Sequence, residues 1–329
     1  MLIRFRPNVS LNDVTFFTER CEEVGVQYKY IQELSRSYLV VESAEHSKLE
    51  ELYHQFRHVP VVELLSFPQD PDNPLSNIEP VKLKAGNRWI GRGNRPVIIA
   101  GSPYLESQKQ SVDLATALSI TGVNIYMAGP YRPTATLAPK DVFERTGSIV
   151  DDIKRKSGLP STGTIEVLAP KNAIMLLKPD MYYVPGEFLF DTNLKEQLAK
   201  IGTPILLERH PDATTELWLK AAGDIVSEGY REVALVETGR RDGDHLVVDI
   251  AEIASLVETC PLPVIVHASR VSKSEKELVS IARASLAAGT SGVIIDVHPD
   301  PLKGLLTEGY CLSLEKFREV WDLLKALTV

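Results

Sequence analysis

Gly292-Val-Ile-Ile-Asp-Val-His-Pro-Asp-Pro301 is the stretch whose reading decides the fold. Its apolar run, Val293 to Ile295, ends abruptly in Asp296, His298 and Asp300. A run that is apolar at every position reads as a strand buried on both faces, here delivering polar groups where it leaves the core. Seven weaker copies precede it, at Val97 to Ala100, Val123 to Met127, Thr164 to Val167, Met181 to Val184, Pro204 to Leu207, Val233 to Val236 and Val264 to Val266. If the eight close one barrel, their polar ends meet on one face, and function belongs there.

Amphipathic stretches fill the intervals: Val112 to Ile120, Val142 to Lys156, Leu194 to Ile201, Glu216 to Val226, Ile250 to Val257, Glu275 to Ala287 and Leu314 to Leu327. Ser274 with Glu277 forms a capping box, and Ser313 with Glu315 opens the last helix in the same way. Alternation at this spacing predicts a parallel sheet with right-handed crossovers, hence an α/β fold with a (β/α)8 TIM barrel over 95–329. The alternative, a doubly wound open sheet, is disfavoured because no strand is followed by G-x-G-x-x-G.

Upstream, residues 1–67 read in the order β-α-β-β-α-β, a small ferredoxin-like α+β domain. Asn8 or Ser10 is placed to cap its first helix, whose Val14, Phe17 and Cys21 share one face. His46, His54 and His58 lie on or beside a solvated helix, where a metal role is the less favoured reading. Residues 68–94 comprise a proline-rich linker and then a short hairpin, Val81 to Leu83 and Arg88 to Ile90, of the kind that plugs the bottom of a barrel.

Composition bounds the function. With 329 residues, 44% of them hydrophobic, the chain can bury one large core and a smaller one. A net charge of −8 opposes nucleic acid and anionic membranes as partners. No apolar run approaches the length of a membrane span, and the start, M-L-I-R-F-R-P, lacks a signal-peptide apolar region, so a cytoplasmic location is expected. Cys21, Cys260 and Cys311 have no C-x-x-C spacing and read as small buried thiols rather than as a zinc site.

The strand ends carry a resemblance. I-I-A-G-S-P-Y-L-E-S at 98–107, A-G-P-Y-R-P at 128–133, P-I-L-L-E-R at 204–209, V-E-T-G at 236–239, V-I-V-H-A-S-R at 264–270 and D-V-H-P-D-P at 296–301 resemble those of 3-deoxy-7-phosphoheptulonate (DAHP) synthases. The similar form is the short microbial type with a ferredoxin-like N-terminal regulatory domain, whose barrel is also similar to that of KDO8P synthase. The resemblance implies condensation of phosphoenolpyruvate with erythrose 4-phosphate on a divalent metal held by Cys, His, Glu and Asp. It also implies a homo-oligomer.

The departures fall on the chemistry. Where the family has Gly-Pro-Cys, this chain has Gly101, Ser102, Pro103, without a thiolate. Its Asp-Pro-Ser-His reads His267, Ala268, Ser269, Arg270, a cation in place of an imidazole. Its metal-binding Glu is shortened to Asp296, and its later Asp matches Glu308. Such a set does not make a four-ligand metal site, so no metal and no cofactor are expected. The phosphate-binding motifs diverge too, at Arg132-Pro-Thr-Ala135, Pro185-Gly-Glu-Phe188, Leu206-Leu-Glu-Arg209 and Val236-Glu-Thr-Gly239. Glu187 and Glu208 reverse the family's charge. At ~5 Å and an effective dielectric of ~20, each reversal shifts the balance by about 6 kcal/mol, on the order of 10⁴ in affinity for an anion.

The expectation is a diverged family member that has lost this condensation but keeps a small-molecule metabolite site at the strand ends. It is a new enzyme or a non-catalytic paralogue that binds a metabolite or assembles with an active synthase; the alternative is a functional DAHP synthase. Candidate acid–base groups are His267, Glu208 and Glu237. Candidate ligand-binding residues are Arg132, Glu166, Glu187, Arg209, Arg241, Arg270, Asp296 and His298. Glu166, Glu187, Glu208 and Glu237 are expected at four successive strand ends as an acidic mouth, either neutralised by Arg209, Arg240, Arg241 and His210 or open to a polar ligand. Arg270, Asp296 and Glu308 read either as a salt-bridged cluster that replaces the metal or as a set in which Arg270 orients a substrate carboxylate. Tyr104, Tyr126, Tyr182, Tyr183 and Phe188 are available for packing or for stacking on a ring.

Overall fold

The computed structural model describes every residue except 8, 34–35, 44, 57–58, 67–74, 76–77, 133–137, 166–172, 190, 192–193, 195–196, 199–201, 228–229, 306–308 and 329. The chain divides into two compact units, Met1–Asn77 and Ile78–Val329.

In the first unit, strands β1 (Leu2–Phe5), β2 (Gln27–Glu33), β3 (Arg36–Glu42) and β4 (Val62–Ser66) form one antiparallel sheet in the order β2-β3-β1-β4. Helices Leu11–Val24 and His46–Phe56 supply the other layer. Phe17 stands at its centre, with ring centroids 5.0 Å from Phe5 and 4.6 Å from Phe56. Ser10 is the cap: its Oγ accepts from Asp13 N at 3.2 Å while the Asp13 carboxylate accepts from Ser10 N, a reciprocal capping box. Asn8, the other expected cap, and His58 lie outside the described residues, as do the side chains of His46 and His54.

The second unit begins with a hairpin, β5 (Lys82–Ala85) and β6 (Arg88–Gly91). It meets the N-terminal ends of barrel strands: Val81 N donates to Pro261 O at 2.8 Å, and a side chain at Gly86 would strike Pro160. The barrel strands are β7 (Val97–Ser102), β8 (Ile125–Ala128), β9 (Thr162–Thr164), β10 (Met181–Val184), β11 (Ile205–Glu208), β12 (Val233–Glu237), β15 (Val264–His267) and β16 (Gly292–His298). All pair in parallel, in the order β8-β7-β16-β15-β12-β11-β10-β9. A bridge from Tyr126 to Ser161, with Tyr126 N donating to Pro160 O at 2.8 Å, joins β8 to the start of β9 and closes the ring. This is the (β/α)8 barrel.

Along β16, Val293, Ile295 and Val297 belong to a core they share with helix residues Leu114, Leu118, Ile149 and Phe317. Alternation then turns Asp296 toward the barrel axis at the strand's C-terminal end. Three features depart from the expected plan. The third strand starts two residues before its predicted span, at Thr162, and is described as far as Thr164; 166–167 of that span lie outside the described residues. A small hairpin, β13 (Arg240–Asp242) with β14 (His245–Val247), rises from the end of β12. A two-residue β17 (Leu312–Ser313) extends β16.

Helix Pro139–Ser157 carries Asp152, whose carboxylate bonds Arg155 at 2.5 Å, Lys156 at 3.4 Å and Gln108 of the neighbouring helix. Arg155 and then Gln108 hold its pKa down at about 2. A depressed carboxylate pKa contributes stability above the unfolded value, and that contribution is lost as pH falls through the folded one. The melting temperature of Asp152→Asn is therefore expected below the parent's at pH 5, with the gap closing between about pH 4 and pH 2. A gap independent of pH would show that the charge does nothing there.

Candidate active site

The C-terminal ends of β10, β11, β15 and β16 bring five polar side chains into one chain of contacts. Asp296 Oδ1 lies 3.2 Å from His267 Nε2. His267 Nδ1 lies 3.2 Å from the Tyr183 hydroxyl, and the two rings meet edge to face. Burial, and after it the Glu208 charge, pushes the Tyr183 pKa well above its ordinary value, so its proton stays on. The Tyr183 hydroxyl also hydrogen-bonds the Glu208 carboxylate, so it bridges Glu208 and His267, while Nε2 of His267 faces Asp296. The series continues to Glu208, whose Oε1 accepts from Arg270 Nη2 at 3.3 Å. Asp296, His267, Tyr183 and Glu208 are all less than 5% exposed.

A second cluster stands beside it. Arg209 Nη1 donates to Glu237 Oε2 at 2.8 Å and to Glu252 Oε2 at 3.0 Å, and its Nε donates to Ala213 O. Its guanidinium faces the Trp218 ring at 5.7 Å. Burial alone would lower the Arg209 pKa, but Glu237 and Glu252 outweigh it and raise it. Burial raises the Glu237 pKa, with Arg209 opposing. The other Glu237 oxygen accepts from Gly239 N at 2.6 Å, so both of its oxygens are engaged.

The remaining sequence-predicted residues are spread around the mouth. Glu187 is exposed on the single turn Gly186–Phe188 after β10. Arg241 pairs with Asp212 at 2.6 Å, and Arg132 lies over the Tyr104 ring at 5.0 Å. His298 Nδ1 accepts from Asp300 N at 3.0 Å, and its Nε2 lies 2.6 Å from Gln110 Nε2 and 3.4 Å from Glu106 Oε1. Glu106 also accepts from Leu305 N, so His298 and Glu106 tie the loop after β7 to the loop after β16. Glu166, Pro133 to Ala135 and Glu308 lie outside the described residues. Arg270 pairs with Glu208 and Asp296 meets His267; Glu308, the third member of the expected cluster, lies outside the described residues.

Sequence reasoning passed over three participants. Tyr183 was read only for packing or stacking. Its place one residue before the end of β10 gives it the inward parity that links it to the neighbouring strand ends. Glu252 reaches Arg209 from helix Ile250–Thr259, 43 residues away, with no local signal. Ser269, whose Oγ accepts from Asp296 N at 2.8 Å, was read only as part of a motif.

A pocket of about 200 Å³ opens over this array, lined by Glu187, Glu208, His210, Thr238, Arg241 and Arg270 among others.

Residues 76–329 match the DAHP synthetase I family. The chain belongs to that family. Among curated relatives it is 25% identical over 254 residues to the phospho-2-dehydro-3-deoxyheptonate aldolase of Thermotoga maritima, covering 76% of this chain and 74% of that one. It is 24% identical over 257 residues to the 2-dehydro-3-deoxyphosphooctonate aldolase of Xanthomonas oryzae pv. oryzae, covering 72% and 93%. The crystal structure of the Thermotoga maritima DAHP synthase aligns with a TM-score of 0.70 at 20% identity, over 99% of this chain and 96% of that one. A truncated form of 3-deoxy-D-arabino-heptulosonate 7-phosphate synthase from the same organism gives 0.67 at 23% identity, over 76% and 92%.

The donor set does not fit the metal that the family resemblance implies. Pro103 offers no donor, Arg270 is a cation, and Asp296 Oδ1 is taken by His267. Among the described residues no three His, Cys, Asp or Glu side chains are grouped to hold a metal ion. Nor, among them, is any helix long and apolar enough to cross a membrane.

Proposed function

We propose that this family member has lost metal-dependent condensation of phosphoenolpyruvate with a sugar phosphate and keeps a small-molecule site at the barrel mouth, between Glu208 and Arg270. The observation that carries the proposal is the pairing of Arg270 with Glu208 at 3.3 Å, beside the pairing of His267 with Asp296 at 3.2 Å. Carboxylates that would face a dication are matched instead by protein groups, and a carboxylate stands where the family places a phosphate-binding lysine. His267, oriented by Asp296 and joined to Tyr183, is the group at this site suited to move a proton. Glu237 is a structural anion, since Arg209 and Gly239 occupy it.

The test is a coupled assay with manganese, phosphoenolpyruvate and erythrose 4-phosphate. No turnover above background is expected; turnover that a chelator abolishes would sink the proposal.

A further inference from the structure

Opposite the mouth, the hairpin under the barrel concentrates positive charge in an acidic chain. Between Glu79 and Glu106 there is no acidic residue, while Lys82, Lys84, Arg88, Arg92 and Arg95 supply five cations, against a net charge of −8 for the whole chain. All five are exposed, on β5 and β6 or just after them. Arg92 is engaged by the barrel: its Nη2 donates to Val257 O and Glu258 O at the end of helix Ile250–Thr259. Among the described residues, no carboxylate pairs with Lys82, Lys84, Arg88 or Arg95. Elsewhere exposed cations are matched, Lys109 by Asp113, Lys140 by Glu144, Arg155 by Asp152 and Lys316 by Glu319. Asp180, beside the hairpin tip at Gly86, is taken by Lys154 at 3.2 Å and by Ser161 N at 2.9 Å.

These charges stand on a fixed surface. Leu83, Ala85 and Ile90 are fully buried beneath the hairpin, and Val81 N is tied to Pro261 O. Directly opposite residues of an antiparallel pair share a face, so the outer face carries Lys82, Lys84 and, opposite Lys84, Trp89. Trp89 is 50% exposed, and Lys84 Nζ stands 5.6 Å from the centre of its ring. A half-exposed indole among unpaired cations narrows the partner. Carboxylates answer the cations but not the ring, whose electron-rich face repels anions. A single-stranded nucleic acid alternates phosphates with flat bases and answers both. In a duplex the bases stack on one another and have no free face to offer. The net charge opposes a polyanion at long range, but at physiological salt such fields fade beyond about 8 Å, so the local patch governs contact.

We propose that the barrel-bottom hairpin binds single-stranded nucleic acid, a base stacking on Trp89 and the neighbouring phosphates meeting Lys82, Lys84, Arg88 and Arg95. The flexible Lys84 head swings from the ring to a phosphate when a base takes the face. This surface is independent of the chemistry at the mouth.

The test is fluorescence anisotropy of the full chain with labelled strands of about 12 units. The probes are oligothymidylate, oligouridylate, an abasic strand with the same phosphates and no bases, a duplex, and polyglutamate. Oligothymidylate or oligouridylate, according to the sugar taken, is expected to bind about tenfold more tightly than the abasic strand or polyglutamate, through the stacked base. Four phosphate contacts, at about 0.7 per contact in the log–log salt slope, predict about twentyfold weaker binding at ~150 mM than at ~50 mM salt. Lys82→Gln with Lys84→Gln should roughly halve that slope, whereas Trp89→Ala should weaken binding about tenfold and leave the slope unchanged. No binding of either oligonucleotide, equal binding of the abasic strand or of polyglutamate, tighter binding of the duplex, or a loss below about twofold in Trp89→Ala would each overturn the proposal. The comparison of probes on the parent protein decides even if a variant does not fold.

Discussion

Arg209→Ala is expected to lower stability by about 3–5 kcal/mol, because it strands a buried carboxylate without its counter-charge. Arg209 is 2% exposed and Glu237 is 2% exposed, and their contact is 2.8 Å. The change also removes the donor to Ala213 O and the guanidinium from the face of Trp218, itself fully buried. At ~2–4 °C per kcal/mol for a domain of this size, the melting temperature should fall by about 10 °C. The pH dependence gives the mechanism away. Burial already raises the Glu237 pKa, with Arg209 opposing, so without Arg209 it rises further. A carboxylate whose folded pKa is raised adds stability below the unfolded value, and loses it as pH climbs through the folded one. The deficit of Arg209→Ala should therefore be largest near pH 8 and shrink toward pH 5. Adding Glu237→Gln to Arg209→Ala should recover part of the loss, since no charge is then orphaned. A deficit under about 1 kcal/mol, unchanged by pH and by the second substitution, would show that the pair carries no weight.

Much of the architecture was legible because barrel strands announce themselves. A parallel strand buried on both faces must be apolar throughout; V-I-I-A, M-Y-Y-V and V-A-L-V meet that demand within a residue or two of their observed ends, and V-I-I at 293–295 meets it inside a strand that runs on to His298. T-G-T at 162–164 does not, and the start of that strand was placed two residues late, toward the more apolar residues after it. The hairpin at 240–247 was missed because its residues are charged and mostly exposed, so no burial pattern marks it. The site was legible as a list of strand-end residues but not as a set of partners. Asp296, His267, Glu208 and Arg270 could each be named from the motif positions. Which carboxylate meets which cation depends on neighbouring strands, and on Tyr183, whose role sequence periodicity cannot separate from packing. Arg209 and Glu237, though successive strand ends, are completed by Glu252 from a helix with no motif at all.

The other large effect concerns the wall of the mouth built from backbone. Gly129, in A-G-P-Y-R-P, lies where the loops after β7 and β8 run against each other. Gly129 N donates to Ser102 O at 3.0 Å, Leu105 N to Pro130 O at 3.0 Å and Arg132 N to Leu105 O at 2.9 Å. A methyl group at Gly129 would sit 1.8 Å from Pro103 O, with Pro103 C and Tyr104 N close behind. These are main-chain atoms and cannot swing aside as a side-chain tip would, so the two loops must part by more than 1 Å. Gly129→Ala is accordingly expected to cost about 3 kcal/mol or more, at or above the upper end of overpacking penalties. It should also loosen the seat of Arg132 over Tyr104. The control is Gly158→Ala, at the end of helix Pro139–Ser157. There φ is +72° and an added Cβ meets nothing within 4 Å, so only the left-handed backbone is penalised, at about 1 kcal/mol. Denaturant unfolding of the two variants separates the terms. If Gly129→Ala costs no more than Gly158→Ala, the loops are not in rigid contact, and the mouth is softer than its hydrogen bonds suggest.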